Sequence, residues 1–220
     1  MKSWKARALT IVAVGAMLAG LGGATRVVAQ DGTPEASPIV GVSQVSVVLR
    51  DVNGDDVGSA SFVEGADGVV AVTVEVRALP AGEHGLHVHE TGDCDPSGDK
   101  PFSSAGGHFN PTGATHGGPP DIAGGQLSES SPVAETTASG HAGDLGNITV
   151  DANGDGIATV QTDRFTLSEG EFSLQDMDGS AIVVHADVDD LTTDPSGNSG
   201  DRIACGVVFA PMGGTPVAGS

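Results

Sequence analysis

Seven histidines lie between positions 84 and 185, and the contexts of six of them favour metal binding. His87 and His89 form an H-x-H pair, and on a strand two such side chains point to the same face and can reach one ion. The other donors stand in separate segments, at His108, His116, His141, Asp144 and His185. Imidazole suits copper and zinc, and one carboxylate can complete a tetrahedral zinc site. Seven donors exceed the need of one four-coordinate ion, whereas two ions that share a bridging imidazole would use them all.

The segments that must position these donors have the composition of strands and turns. The 34 glycines and 12 prolines punctuate short Val-rich runs, which favours an all-β protein. Eight such runs predict an eight-stranded Greek-key barrel or sandwich. They cover residues 45–49, 60–63, 69–76, 85–89, 147–150, 157–161, 181–186 and 203–209.

Turn and loop signals complete this organisation. DVNGDD at 51–56 and DANGDG at 151–156 each separate two Val-rich runs and predict hairpins. The second segment also resembles the start of an EF-hand calcium loop, but its twelfth position is Thr162 instead of glutamate, so we do not expect calcium there. Two long loops, 90–144 and 189–201, are the expected metal-binding segments, because loops of this length in a compact domain are usually functional.

The N-terminal segment has the pattern of a secretory signal over residues 1–29. Lys2, Lys5 and Arg7 precede an apolar stretch, and small residues precede Gln30. A transmembrane anchor is the alternative, which the short, Gly-rich stretch disfavours. We therefore expect a flexible linker at 30–38, one domain at 39–210 and a flexible tail at 211–220. The mature protein would be extracellular, cell-wall-associated or periplasmic, with no membrane insertion after signal removal.

The mature chain would be strongly acidic. Without residues 1–29 it has 29 acidic and five basic residues, a net charge of −24. Such a surface repels nucleic acid and anionic membranes, so we expect neither as a partner.

Two cysteines, Cys94 and Cys205, remain in the mature chain. Export exposes them to oxidising conditions, in which a pair usually bonds, so we expect a disulfide. Closing a loop of this length would stabilise the fold by about 4 to 5 kcal/mol on chain-entropy grounds. Two free thiols that bind a metal are the alternative, which the abundance of histidine makes unnecessary.

The motifs HVHE, GGHFNP, HGGP, HxGDLGN, VVH and RxACG, in this order over residues 82–208, resemble those of the copper/zinc superoxide dismutases. The GDC context of Cys94 is similar to that of the bacterial exported members. The resemblance implies a Greek-key barrel that converts superoxide to oxygen and hydrogen peroxide by alternate reduction and oxidation of copper. Zinc would be the structural partner, and superoxide the substrate.

Transferred residue by residue, the resemblance also implies roles for individual side chains. Arg202 would hold the anion beside copper, and His108 would be the shared, catalytic imidazolate. Asp189 would link one copper ligand to one zinc ligand, and His84 would be a structural hydrogen-bonding residue. The implied copper ligands are His87, His89, His108 and His185, and the implied zinc ligands are His108, His116, His141 and Asp144.

Two features depart from the family pattern. His116 and His141 are 25 positions apart, and the added polar stretch is expected to be a solvated excursion that leaves the ligands in place. Zinc affinity is the property that this stretch would affect. Residues 189–201 contain no Lys or Arg, where animal relatives carry lysines, so we expect a slower enzyme whose rate falls little, or rises, with added salt.

Two alternatives use the same barrel: a copper-only dismutase and a non-enzymatic copper-binding protein. The second class typically lacks a copper ligand or the channel arginine, whereas this chain keeps all of them. His116, His141 and Asp144 argue against the first. A homodimer fits the family, whose members form dimers through different surfaces or stay monomeric.

Overall fold

A computed structural model describes residues 43–120 and 140–213, which contain eight strands and one short 3₁₀ helix. The described residues belong to one compact unit, Ile39–Ser220. The predicted all-β class and strand number are confirmed. The strands are β1 Ser43–Asp51, β2 Asp56–Glu64, β3 Val70–Val76, β4 Gly82–His89, β5 Asp144–Val150, β6 Gly156–Thr162, β7 Ser180–His185 and β8 Arg202–Phe209, and the 3₁₀ helix is Ser103–Ala105.

The strands close into an antiparallel barrel in the order β1-β2-β3-β6-β5-β4-β7-β8. The chain crosses from β3 to β4 and from β6 to β7 without pairing those strands, which gives the barrel its Greek-key connections. The two predicted long loops connect β4 to β5 and β7 to β8. Both therefore start or end on the neighbouring strands β4, β5, β7 and β8.

The barrel interior is filled by alternate residues of each strand. On β3, Val70, Val72, Val74 and Val76 are buried inside, next to large side chains such as Phe62. On β4, Leu86 and Val88 belong to the same core. Successive side chains of a strand point to opposite faces, so His87 and His89 lie on the outer face of the barrel wall.

The two predicted hairpin turns are confirmed, and they have the same internal hydrogen bonds. Asp51 Oδ1 accepts bonds of 2.9 Å from the backbone N–H groups of Asn53 and Asp55. Asp151 repeats this pattern between β5 and β6. In each turn, one aspartate side chain thus helps to fix the connection, Asp51 between β1 and β2 and Asp151 between β5 and β6.

The predicted signal at 1–29, the linker at 30–38 and most of the tail at 211–220 lie outside the described residues and stay predictions. Among the residues that the structure describes, no helix is long and apolar enough to span a membrane.

Candidate metal centre

The outer face of β4 carries His87 and His89, and both are fully buried although they lie outside the barrel core. The loops that follow β4 and β7 cover them. His87 faces Asp144 across the β4–β5 pair, and His89 forms an isolated β-bridge with His108. The sheet register therefore brings Asp144, 57 positions after His87, and His108, 19 positions after His89, next to the H-x-H pair.

The backbone of Val88 fixes the two segments that carry His108 and Asp144. Its N–H donates to the carbonyl of Gly143 at 2.8 Å, and its carbonyl accepts from the N–H of Phe109 at 2.8 Å. Gly143 in turn donates to the carbonyl of Phe109 at 2.9 Å. Since Phe109 follows His108 and Gly143 precedes Asp144, both donors are placed by main-chain bonds to β4.

Three groups of potential metal ligands result: His108 belongs to two of them, and the third consists of His87, His116 and Asp189. Within each group the nearest ligand atoms lie within 4.8 Å of one another, and every member is buried. The four-histidine group consists of His87, His89, His108 and His185. The His–Asp group consists of His108, His116, His141 and Asp144. These are the two sets predicted from the sequence.

In the four-histidine group, one nitrogen of each ring has an outside partner that fixes the tautomer. His87 Nε2 lies 2.8 Å from Asp189 Oδ2, and His89 Nδ1 lies 3.0 Å from the carbonyl oxygen of Gly106. Each of these nitrogens therefore carries a proton and donates it. The lone pairs of His87 Nδ1 and His89 Nε2 are then directed into the group.

His185 and His108 complete the four-histidine group in the same way. His185 Nδ1 lies 3.4 Å from the carbonyl oxygen of Gly200, while its Nε2 lies 3.4 Å from His89 Nε2. The buried His108 Nε2 has no hydrogen-bond partner, and neither has His87 Nδ1. Buried polar atoms are rarely left without partners, so two unpartnered imidazole nitrogens in one group fit a site built for a cation.

Several ligand atoms of the His–Asp group are separated by the distances expected around a tetrahedrally coordinated ion. Bonds of 2.0–2.1 Å to zinc place neighbouring ligand atoms about 3.3 Å apart. His141 Nδ1 lies 3.3 Å from His108 Nδ1 and 3.2 Å from Asp144 Oδ1. His116 Nδ1 lies 3.2 Å from Asp144 Oδ2 but has no hydrogen bond. The three imidazoles and one carboxylate therefore fit zinc in number and chemistry, and all of these distances except the 2.8 Å between His108 Nδ1 and Asp144 Oδ1 are close to the expected spacing.

Asp189 connects the two groups. Its Oδ2 accepts from His87 Nε2 and its Oδ1 from His116 Nε2, both at 2.8 Å. Asn147 holds the backbone of Asp189 by two hydrogen bonds, one to its N–H and one to its carbonyl. A Cβ on Gly197, which has φ +61°, would lie 1.7 Å from Asp189 Oδ1. The position beside the carboxylate thus requires glycine for both space and backbone conformation.

Burial and charge act in opposite directions on the ionisable groups here. Burial lowers the pKa of His108 to about 4 and holds the pKa of His87 and His89 below the ordinary value of 6.5. Burial also opposes protonation of His116, but its contacts with Asp144 and Asp189 outweigh this and raise its pKa to about 10. Without metal, His116 would carry a proton at neutral pH, between two carboxylates.

Arg202 starts β8 beside the four-histidine group and is held by two carbonyls of the long loop after β4. Its Nη1 donates to Phe102 and its Nη2 to Gly106, the residue that also accepts from His89. The predicted disulfide between Cys94 and Cys205 is confirmed and joins that loop to β8. The guanidinium is therefore positioned by a loop that is covalently attached to the strand carrying it.

The structure brings together every side chain predicted for the site, and His84 has the structural role expected of it. Its two ring nitrogens lie 2.9 Å from the carbonyl of His185 and 2.8 Å from that of Pro80. Sequence reasoning missed Arg164 and Asp194, which contact the His–Asp group from other loops. Neither stands in a motif, and no local pattern indicates their contacts.

Comparisons with known proteins agree on one family. The family model for copper/zinc superoxide dismutase (SODC) matches residues 57–208. A superoxide dismutase [Cu-Zn] of Deinococcus radiodurans is 39% identical over 176 residues, 78% of this chain and 87% of the relative. Superoxide dismutase [Cu-Zn] 2 of Aquifex aeolicus is 38% identical over 73% of this chain and 83% of the relative. A double mutant of a SOD-like protein from Bacillus subtilis superposes with a TM-score of 0.60 at 34% identity, over 75% of this chain and 97% of the other.

Proposed function

Because the chain belongs to the copper/zinc superoxide dismutase family, we propose that its four-histidine group holds copper and its His–Asp group holds zinc. The enzyme converts superoxide to oxygen and hydrogen peroxide with these two metals as cofactors. One observation supports the assignment of the groups above the others. His108 directs Nε2 into the all-imidazole set and Nδ1 into the set with a carboxylate.

Bound copper supplies a one-electron redox couple, so that one superoxide anion gives up an electron and a second accepts one. The protein must deliver protons to the second anion, and His108 is placed to do so. Its Nδ1 stays in the His–Asp group beside Asp144, while its unpartnered Nε2 can take up a proton and release it. A ring held at one nitrogen keeps its orientation while the other nitrogen changes protonation state.

Arg202 is the group that would bind the anion. A guanidinium is always charged and has five N–H donors in a fixed plane, which suits a small anion near a metal. The bonds to the carbonyls of Phe102 and Gly106 fix that plane and leave other donors free. The half-buried side chain therefore presents positive charge in a defined direction next to the four-histidine group.

Metal analysis alongside a superoxide assay tests this assignment on the mature chain. We expect one copper and one zinc per chain with activity. Copper with activity and no zinc would indicate the copper-only alternative, and copper without activity the non-enzymatic one. His108→Ala, which removes the shared ring, should abolish activity and weaken both metals, and a variant that kept both metals and full activity would overturn the proposal.

Export of the chain is part of the proposal. The signal pattern at 1–29 supports it, and so does the Cys94–Cys205 disulfide, which is typical of oxidising compartments. N-terminal sequencing of protein recovered from the cell envelope and the medium should begin at Gln30 and should separate an extracellular, wall-associated or periplasmic location. An intact Met1 end would contradict it. A homodimer stays a prediction, which sedimentation of the metal-loaded mature chain tests.

A further inference from the structure

Arg164 lies just after β6 and contacts both flanks of the stretch that separates His116 from His141. Its Nη1 is 3.1 Å from the carbonyl oxygen of Gly118 and 3.3 Å from that of His141. One nitrogen of a half-buried guanidinium thus donates to the main chain on either side of residues 121–139. These two bonds connect the barrel wall to both sides of the His–Asp group.

The space around Arg164 Nη1 is closely packed. A Cβ added to Gly140 would lie 2.9 Å from this nitrogen, 3.0 Å from the Gly118 carbonyl oxygen and 3.1 Å from Asp144 Oδ2. All three distances are shorter than ordinary contacts of a Cβ atom. The chain before residue 121 and the chain after residue 139 therefore meet at this guanidinium, beside a carboxylate of the His–Asp group.

We propose that Arg164 is a positioning residue for zinc, because it holds the His116 and His141 segments in place whatever the length of chain between them. It acts through the carbonyls of Gly118 and His141 and does not touch the metal itself. A long connection between two ligands costs closure entropy each time the site forms. When both flanks are fixed to the barrel, the positions of His116 and His141 no longer depend on the chain that connects them. This inference rests on the proposed zinc role of the His–Asp group.

The hydrogen bonds of Arg164 and its positive charge should have opposite effects on zinc affinity, which makes the positioning role testable. A cation near the His–Asp group repels zinc, so removal of the charge alone should tighten zinc binding. Loss of the two hydrogen bonds should instead loosen the flanks and weaken it. Arg164→Gln removes both the positive charge and the forked N–H donors of the guanidinium. Arg164→Lys keeps the charge, but on a shorter side chain with a different donor geometry. Arg77→Gln is the matched control, because it removes the same charge from an exposed arginine elsewhere on the barrel.

The experiment measures the affinity of the mature protein for Zn²⁺ by competition with a chelator, and the visible spectrum of Co²⁺ bound in its place. We expect Arg164→Gln to weaken zinc about tenfold, at the lower end of what loss of outer contacts to metal ligands usually costs. Its Co²⁺ bands should lose tetrahedral intensity. Arg164→Lys should fall between this variant and the original protein, and Arg77→Gln should match the original. Copper affinity should change little in all of them.

Equal or tighter zinc binding by Arg164→Gln would overturn the inference. Failure of the original protein to bind zinc would instead overturn the proposed metal assignment, so the two failures are distinguishable. Arg164→Lys covers the case in which Arg164→Gln does not fold, because it keeps the positive charge and changes the donor geometry. Weaker zinc binding by Arg164→Lys supports the inference, and unchanged zinc binding by this variant counts against it.

Discussion

The carboxylate of Asp194 accepts a hydrogen bond of 2.5 Å from the backbone N–H of His116, 78 positions earlier in the chain. The ring of the same histidine donates from Nε2 to Asp189. The loop between β7 and β8 therefore holds His116 at both its main chain and its side chain. This loop also precedes Arg202, so the His–Asp group and the arginine proposed to bind the anion are connected through one short segment.

Asp194→Ala should weaken zinc binding, because it removes the acceptor that fixes the backbone of His116. We expect a loss of about threefold to tenfold, toward the lower end of effects of outer contacts on metal affinity. Asp194→Asn is the control, since its side-chain oxygen can still accept the bond. Chelator competition with Zn²⁺ measures both variants, and an Asp194→Ala protein that binds zinc as tightly as Asp194→Asn would contradict the expectation.

Gly197→Ala should break the connection between the two metal groups, because the new methyl group would occupy the position of the Asp189 carboxylate. Copper bound beside a reoriented His87 should show an altered electron paramagnetic resonance spectrum, and zinc affinity should fall. Gly68→Ala imposes a similar backbone conformation, with φ +80°, where nothing lies within 4 Å. This control therefore distinguishes the effect of a strained alanine backbone from the effect of crowding the Asp189 carboxylate. If both variants have the same copper spectrum, the crowding argument is wrong.

The metal-free protein should lose stability as the pH falls from 6.5 toward 4. Burial lowers the pKa of His87, His89, His108 and His185 in the folded chain, so the unfolded chain binds more protons below 6.5. Each such histidine removes up to about 1.4 kcal/mol of unfolding free energy per pH unit in that range. The pKa of His116 is raised instead, so its protonation stabilises the folded chain. This stabilisation is lost only as the pH rises above 6.5 toward about 10.

Urea denaturation of the metal-free chain at pH 7 and pH 5 measures this loss. The copper- and zinc-loaded protein is the comparison, because bound metals occupy the same nitrogens and should reduce the pH dependence. Equal stability of the metal-free protein at the two pH values would contradict the argument.

The dismutation rate should stay level or rise as salt is added. Superoxide is an anion, and the loop beside Arg202 contains Asp189, Asp190, Asp194 and Asp201 but no Lys or Arg. Salt screens repulsion as well as attraction, so an anion that must pass an acidic loop to reach Arg202 reaches it more readily as salt is added. Pulse radiolysis between low and physiological ionic strength measures the rate. Asp201→Asn, which removes an exposed negative charge next to Arg202, should raise the rate at low salt, and a steep fall of the original enzyme's rate with salt would refute the prediction.

The fold and the metal groups were predictable because their signals are local. Alternation on β4 places Leu86 and Val88 in the core and the two histidines outside, and the other donors stand in short motifs. The contacts of Arg164 and Asp194 were not predictable in this way. Each depends on where two loops meet after the barrel closes, and neither residue differs in type or context from a surface side chain. The left-handed backbone of Phe102, which places its carbonyl against Arg202, also has no glycine to indicate it.

The Cys94–Cys205 disulfide would link completion of the proposed anion site to the moment and the compartment in which the two thiols are oxidised. Cys205 follows Arg202 by three positions on β8, and Cys94 opens the segment whose carbonyls hold the guanidinium. A chain kept in a reducing environment would have all its histidines yet lack the tether between these two segments. If Arg202 binds the anion as proposed, oxidation of the two thiols would add the covalent link between that arginine's strand and the loop that positions it.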